Sequence, residues 1–204
     1  MEAIYSKHLI TSLLIILASG FTLSHGSDSE RPYQEESTVF IRTSCSSTTY
    51  PRLCYSSLVK HADLIQTNRV ILTGTALNVT LASAKSTSAM MLKVAKMQGL
   101  KPREVAAMKD CVEEVADSVD ELRRSVAEMA DLRPSDFEMI MSDVQTWVSA
   151  ALTDESTCSD GFQEETASVS NANVKSMVRG QIQQLAQITS NALALINQLA
   201  NSQA

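Results

Sequence analysis

The chain has 204 residues, with 23 acidic and 17 basic side chains and a formal net charge of −6. That balance argues against nucleic acid, whose binders carry a basic patch, and suits a partner with a positive surface. Aromatic residues make up 4 %, with only six glycines and four prolines; this favours helices over a sheet sandwich, which needs frequent turns and many β-branched or aromatic residues.

The N-terminus reads as a leader. Leu9 to Leu23 is almost wholly apolar, behind a weakly basic start with Lys7, and small residues follow at Gly20, Ser24 and Gly26. Residues 1–26 are expected to be a signal peptide cleaved after Gly26, or alternatively after Gly20. The competing reading is a membrane anchor, but the stretch is shorter than the roughly 20 residues a spanning helix needs. The protein is therefore expected to be secreted and free of the membrane after cleavage, and what remains is of a length for one domain.

Residues 27–36 are polar, contain Pro32 and lack periodicity, and read as a flexible mature N-terminus. Residues 37–67 read as short helical pieces broken at Tyr50-Pro51, because the residue before a proline is pushed out of helical geometry. The pattern then predicts four longer helices over 70–201.

The first runs from about Ile71 to Met97, with Leu77, Leu81, Ala84, Ser88, Met91 and Ala95 on one stripe, and Gly99 suits its C-terminal end. Lys101-Pro102 opens the second, with proline in the first turn. Here Val105, Met108, Val112, Val115, Val119, Leu122, Val126 and Met129 form an unbroken seam. Ser135 and Glu138 match a capping box before the third, predicted from Asp136 to about Leu152. The fourth covers roughly Phe162 to Ala200, with a seam at Val178, Ile182, Leu185, Ile188, Ala192, Ile196 and Leu199. Four amphipathic helices on short loops fold most simply as an antiparallel up-and-down bundle.

Four cysteines, Cys45, Cys54, Cys111 and Cys158, allow three disulfide pairings. An exported chain favours disulfides over free thiols, and the spacings match no zinc module. The favoured pairing is Cys45–Cys54, around the Tyr50-Pro51 bend, with Cys111–Cys158. The second would tie the start of one antiparallel helix to the end of the next.

Catalytic equipment is sparse. His8 and His25 fall in the leader, leaving His61 alone for chemistry that leans on histidine, and His61 itself reads as a surface residue. No nucleotide fingerprint is present, and no metal or cofactor is expected. Glu113, Asp117 and Asp120 recur on one stripe beside the second seam with no interleaved lysine. They form either a solvated face or a docking surface for a basic partner. Asn78-Val79-Thr80 is the single glycosylation sequon.

Several strings become recognisable together. WVSAALTDESTCSDGF (147–162) resembles the signature of the plant invertase and pectin methylesterase inhibitor family. CSSTTYPRLC (45–54) resembles its N-terminal paired-cysteine motif, AMKDCVEEVADSVDELRRS its third-cysteine region, and SNALALIN near the C-terminus also fits. The resemblance runs from about Thr38 to Leu199. It implies an all-α four-helix bundle with an N-terminal helical hairpin (37–67), within one domain over 37–204, and the same two disulfides.

It also implies a role that is not enzymatic: binding a cell-wall carbohydrate enzyme one-to-one, as a monomer, over its active-site cleft. The ALTDESTCSDGF and SNALALIN strings, and the lack of a Pro-Lys-Phe motif, look more like inhibitors of pectin methylesterase than of acid invertase, the alternative target. Carried over, the family's partner surface falls at Glu113, Asp117, Asp120 and Thr157. Without a catalytic domain of its own, the chain is expected to act in trans in the cell wall.

Overall fold

A computed structural model describes residues 30–162 and 172–202. The leader, residues 1–26, lies outside the described residues. Packing divides the chain between Tyr33 and Gln34, and the bundle belongs to the second unit.

Every regular element among the described residues is helical. Helix α1 spans Glu30–Cys45 and α2 spans Pro51–Leu58. A 3₁₀ turn, Val59–His61, leads into the short α3, Ala62–Ile65. The four long helices are α4 (Arg69–Val94), α5 (Pro102–Ala130), α6 (Phe137–Gly161) and α7 (Ala172–Asn201). Each packs on its chain neighbour, and α4 closes against α7, which makes the expected four-helix bundle.

Local chemistry explains the boundaries. Tyr50, before Pro51, leaves helical geometry at φ −125° and ψ 72°, so α1 and α2 fold into a hairpin. The Cys45–Cys54 disulfide staples it, with Cα atoms 5.6 Å apart, and the Arg42 guanidinium stacks over the Tyr55 ring at 4.8 Å. The Asn68 side chain accepts from the N–H groups of Val70 (2.9 Å) and Ile71 (3.1 Å), capping α4. Between α4 and α5, Gly99 takes φ +89°, a left-handed conformation that a side chain would strain. Pro102 then opens α5, and the Lys101 N–H donates to Glu104 Oε2 at 2.8 Å.

Several boundaries differ from the sequence expectation. Helix α1 starts at Glu30, inside the stretch 27–36 that lacked periodicity. The capping box at Ser135 and Glu138 does not form: Pro134–Asp136 is a 3₁₀ turn and α6 begins at Phe137 without a side-chain cap. Proline's fixed φ starts that turn early and moves Ser135 inside it.

Helix α6 also continues past Leu152 to Gly161. The hydroxyls that interrupt its apolar pattern bond back along the helix, Thr153 to the Ser149 carbonyl (3.0 Å) and Ser156 to that of Leu152 (2.8 Å). They therefore do not compete with the helical backbone. The start of the fourth helix, 163–171, lies outside the described residues.

The core is built from three stretches along the bundle. Leu77, Leu122, Val144, Val148, Leu185 and Ile196 fill the middle. Ile41, Cys45, Cys54, Leu58, Ala192 and Leu195 seat the hairpin on the bundle. Met91, Met108, Val115, Val178 and Ile182 surround the second disulfide. Along the α5 seam Met108, Val115, Val119, Leu122 and Met129 are buried, Val112 and Val126 are half-buried, and Val105, in the first turn, is 50 % exposed. Likewise Ala95 on α4 is exposed, and Thr87 and Val94 are buried instead. Periodicity marks a face but not how far the facing helices extend along it.

Candidate functional site

The second disulfide joins Cys111, in the first half of α5, to Cys158, in the last turn of α6, with Cα atoms 4.5 Å apart. A cleft of about 610 Å³ opens beside it, lined among others by Arg103, Asp110, Cys111, Glu114, Thr157 and Lys175. Thr157 is exposed there, and its hydroxyl donates to the Thr153 carbonyl at 3.0 Å.

The acidic stripe read from the sequence divides in two. Glu113, Asp117 and Asp120 are all exposed on α5. Glu113 lies 3.8 Å from Lys109, and Asp120 pairs with Arg123. Cations of the same helix thus flank the stripe about one turn beyond either end, and none is interleaved within it. Such exposed pairs are weak and are easily given up to a partner.

Asp117 is exposed, and its charge acts on three other acids, Glu114, Glu121 and Asp154. Glu114, Ser118 and Glu121 stand at i, i+4 and i+7, on one face of α5. Opposite them on α6 stand Asp154 and Glu155.

Burial pushes the Glu121 carboxyl up to about 7, helped by the charge and hydrogen bond of Asp154, with a smaller opposing pull from Arg124. Glu114 is raised too, by burial first and then by Asp154. Burial likewise raises Asp154, while its hydrogen bonds with Glu121 and Glu114 hold it down.

Glu155 is wholly buried. Its Oε1 accepts from the Ser118 hydroxyl at 2.8 Å and from the Thr189 hydroxyl at 2.9 Å. Burial, opposed by these two bonds, pushes its carboxyl up to about 8. One side chain thus joins α5, α6 and α7. Sequence reasoning passed over this group because a single glutamate in a polar run carries no periodic signal. The i, i+4, i+7 spacing on α5 was readable, but its meaning depends on where α6 lies.

The remaining expected residues are separate from this seam in the chain's architecture. His61 is half-buried in the 3₁₀ turn after the hairpin. Asn78 is exposed on α4, where its amide donates to the Gly74 carbonyl at 2.8 Å, and Thr80 of the same sequon is buried with its hydroxyl on the Ala76 carbonyl. Among the described residues, no group of three histidine, cysteine or acidic side chains could hold a metal ion, and no helix is long and apolar enough to cross a membrane.

The chain is thus of the class of disulfide-stapled, all-helical bundles, with acidic groups along one edge. The comparisons narrow this. The family model of plant invertase/pectin methylesterase inhibitors matches residues 39–195, and the chain belongs to that family of inhibitor proteins.

A carrot (Daucus carota) protein called 21 kDa protein is 42 % identical over 98 % of this chain and 97 % of its own length. Pectinesterase inhibitor 9 of Arabidopsis thaliana is 45 % identical over 93 % of this chain and 94 % of its own. The crystal structure of a mutant form of a pectin methylesterase inhibitor from Arabidopsis superposes with a TM-score of 0.60 at 25 % identity, over 77 % of this chain and 95 % of that one.

Proposed function

We propose that this protein is a secreted inhibitor of pectin methylesterase. It binds the enzyme one-to-one, covers the active-site cleft and so limits demethylesterification of cell-wall pectin. The observation that carries the reading is the likeness, over nearly the whole chain, to proteins named pectinesterase inhibitors. The apolar leader at Leu9–Leu23 supports secretion.

The exposed edge of α5 and the end of α6 supply the docking face. Glu113, Asp117 and Asp120 would meet basic groups beside the enzyme's cleft, with Thr157 at the disulfide end. Charge pairing of this kind sets association rate and specificity more than raw affinity. The Cys111–Cys158 bridge fixes α5 against α6 and so presents the two parts of the face in one geometry, which lowers the ordering cost of binding.

The test is complex formation between the oxidised protein and a purified plant pectin methylesterase, followed by light scattering on a sizing column. A single species with the summed mass of one copy of each is expected, and methyl-esterified homogalacturonan should compete with its formation. Two free proteins at micromolar concentration, or a complex indifferent to the substrate, would overturn the reading.

A further inference from the structure

Glu155 has two hydroxyl hydrogen bonds, from Ser118 and Thr189, and no cation among the groups that act on it. No part of it reaches solvent. The ionisable groups that act on it are Asp154 beside it and Glu121 on α5, both acids. Helix α7 brings the Thr189 hydroxyl, and the charges of α4 nearest in sequence to its packed middle, Lys85 and Lys93, are exposed.

The hydrogen bonds point the same way. The Thr189 hydroxyl has one proton and lies within reach of two acceptors, Glu155 Oε1 at 2.9 Å and the Leu185 carbonyl at 3.1 Å. Both contacts are satisfied together when Glu155 carries a proton and donates to Thr189, which in turn donates to Leu185. Glu155 Oε2 is buried with no donor, which costs far less for a neutral acid than for a carboxylate.

The outer layer repeats the logic. Glu121 Oε2 and Asp154 Oδ2 are buried with no hydrogen-bond partner, and the charge of Asp154 acts on Glu121. Two neighbouring carboxylates with buried, unpartnered oxygens cost less when one of them carries a proton. The charge of Asp154 acts on Glu114 as well. Asp110 and Asp117 add negative charge from α5, and Arg124 is the opposing cation.

We propose that the α5–α6 seam is a proton-operated clasp: protons on Glu155 and on the Glu121–Asp154 pair hold α5, α6 and α7 together in acid, and their loss loosens the bundle. The clasp belongs to the bundle and is independent of what the protein binds. It would adapt the chain to an acidic medium.

The direction follows from linkage. Glu121 and Glu155 rise from 4.5 in the open chain to about 7 and about 8 when folded. The folded state therefore holds more protons between those limits, and stability falls as pH rises through them. Below the lower limit both states are protonated and the contribution is fully present.

The experiment is thermal unfolding of the oxidised protein across mildly acidic to mildly alkaline pH, for wild type, Glu155→Gln and Glu121→Gln. Wild type should melt highest in acid and lose several degrees towards alkaline pH. Each amide, which mimics the protonated acid, should flatten that fall and melt above wild type at alkaline pH. Melting curves of both variants that run parallel to wild type at every pH would overturn the clasp. Carbon-13 NMR of the glutamate carboxyls in wild type needs no variant: at least one must titrate above neutrality, and a set that all titrates in the ordinary acid range contradicts the proposal.

Discussion

Asn191 on α7 holds both backbone groups of Tyr50. Its Oδ1 accepts from the Tyr50 N–H at 2.9 Å, and its Nδ2 donates to the Tyr50 carbonyl at 3.0 Å. The side chain thus acts as a piece of strand edge, fixing the bend before Pro51 from 141 residues away. Gln198, two turns on, reaches the Ser44 carbonyl (3.2 Å) and the Ser47 hydroxyl (3.1 Å). The last helix therefore positions the hairpin with polar contacts as well as with Ala192 and Leu195 beneath it.

Replacing Asn191 by alanine should cost about 1–3 kcal/mol, since the partly buried Tyr50 N–H is left without a partner and its carbonyl keeps only the Cys54 N–H at 3.0 Å. Denaturant unfolding of Asn191→Ala against wild type measures this. A loss confined to a few tenths would mean that water replaces the amide without penalty.

The two disulfides should contribute unequally. The bridge across 47 residues restricts the open chain more than the one across 9. The chain-entropy relation gives about 4 kcal/mol for the longer loop and about 2.5 kcal/mol for the shorter. The Cys111→Ser, Cys158→Ser double variant should thus melt below the Cys45→Ser, Cys54→Ser one in calorimetry. The reverse order would show that the hairpin, not the bundle, depends most on its staple.

Core and seam separate in the same way. Leu122 is fully buried and Val105 is half exposed, although both fall on the same periodic row of α5. Leu122→Ala should cost about 2–5 kcal/mol through lost burial and a cavity. Val105→Ala should stay within about 0.5 kcal/mol, as surface substitutions do. Equal losses would mean that the first turn of α5 is covered in solution.

Much of this fold was legible in the sequence. The break at Tyr50-Pro51, the glycine at position 99, the proline at 102 and the α5 seam each act through local geometry, so one residue or one period suffices to read them. The end of α6 was not legible, because Thr153, Ser156 and Thr157 look like loop residues until their hydroxyls are seen bonding back into the helix.

Long-range polar contacts were not legible either. Asn191 gains its role only when α7 lies beside the hairpin, and Glu155 only when Ser118 and Thr189 face it. The acidic edge of α5 was visible as a spacing. Its division into cation-paired Glu113 and Asp120, and Asp117, whose charge acts on other acids, depends on which side α6 occupies.

On the docking face, Asp117→Lys combined with Asp120→Lys should weaken inhibition of pectin methylesterase by about tenfold or more, mainly by slowing association. Both positions are exposed, so far-ultraviolet circular dichroism should be unchanged. Association measured at low and high salt should differ less for the variant than for wild type. Unchanged kinetics in a folded variant would remove this edge of α5 from the interface.

The most direct measurement is a titration of pectin methylesterase activity with the purified, oxidised protein at mildly acidic pH, with acid invertase assayed alongside. The account predicts saturable loss of esterase activity near equimolar inhibitor, with invertase untouched. Esterase activity that persists at a large excess of folded inhibitor, or loss confined to invertase, would contradict it.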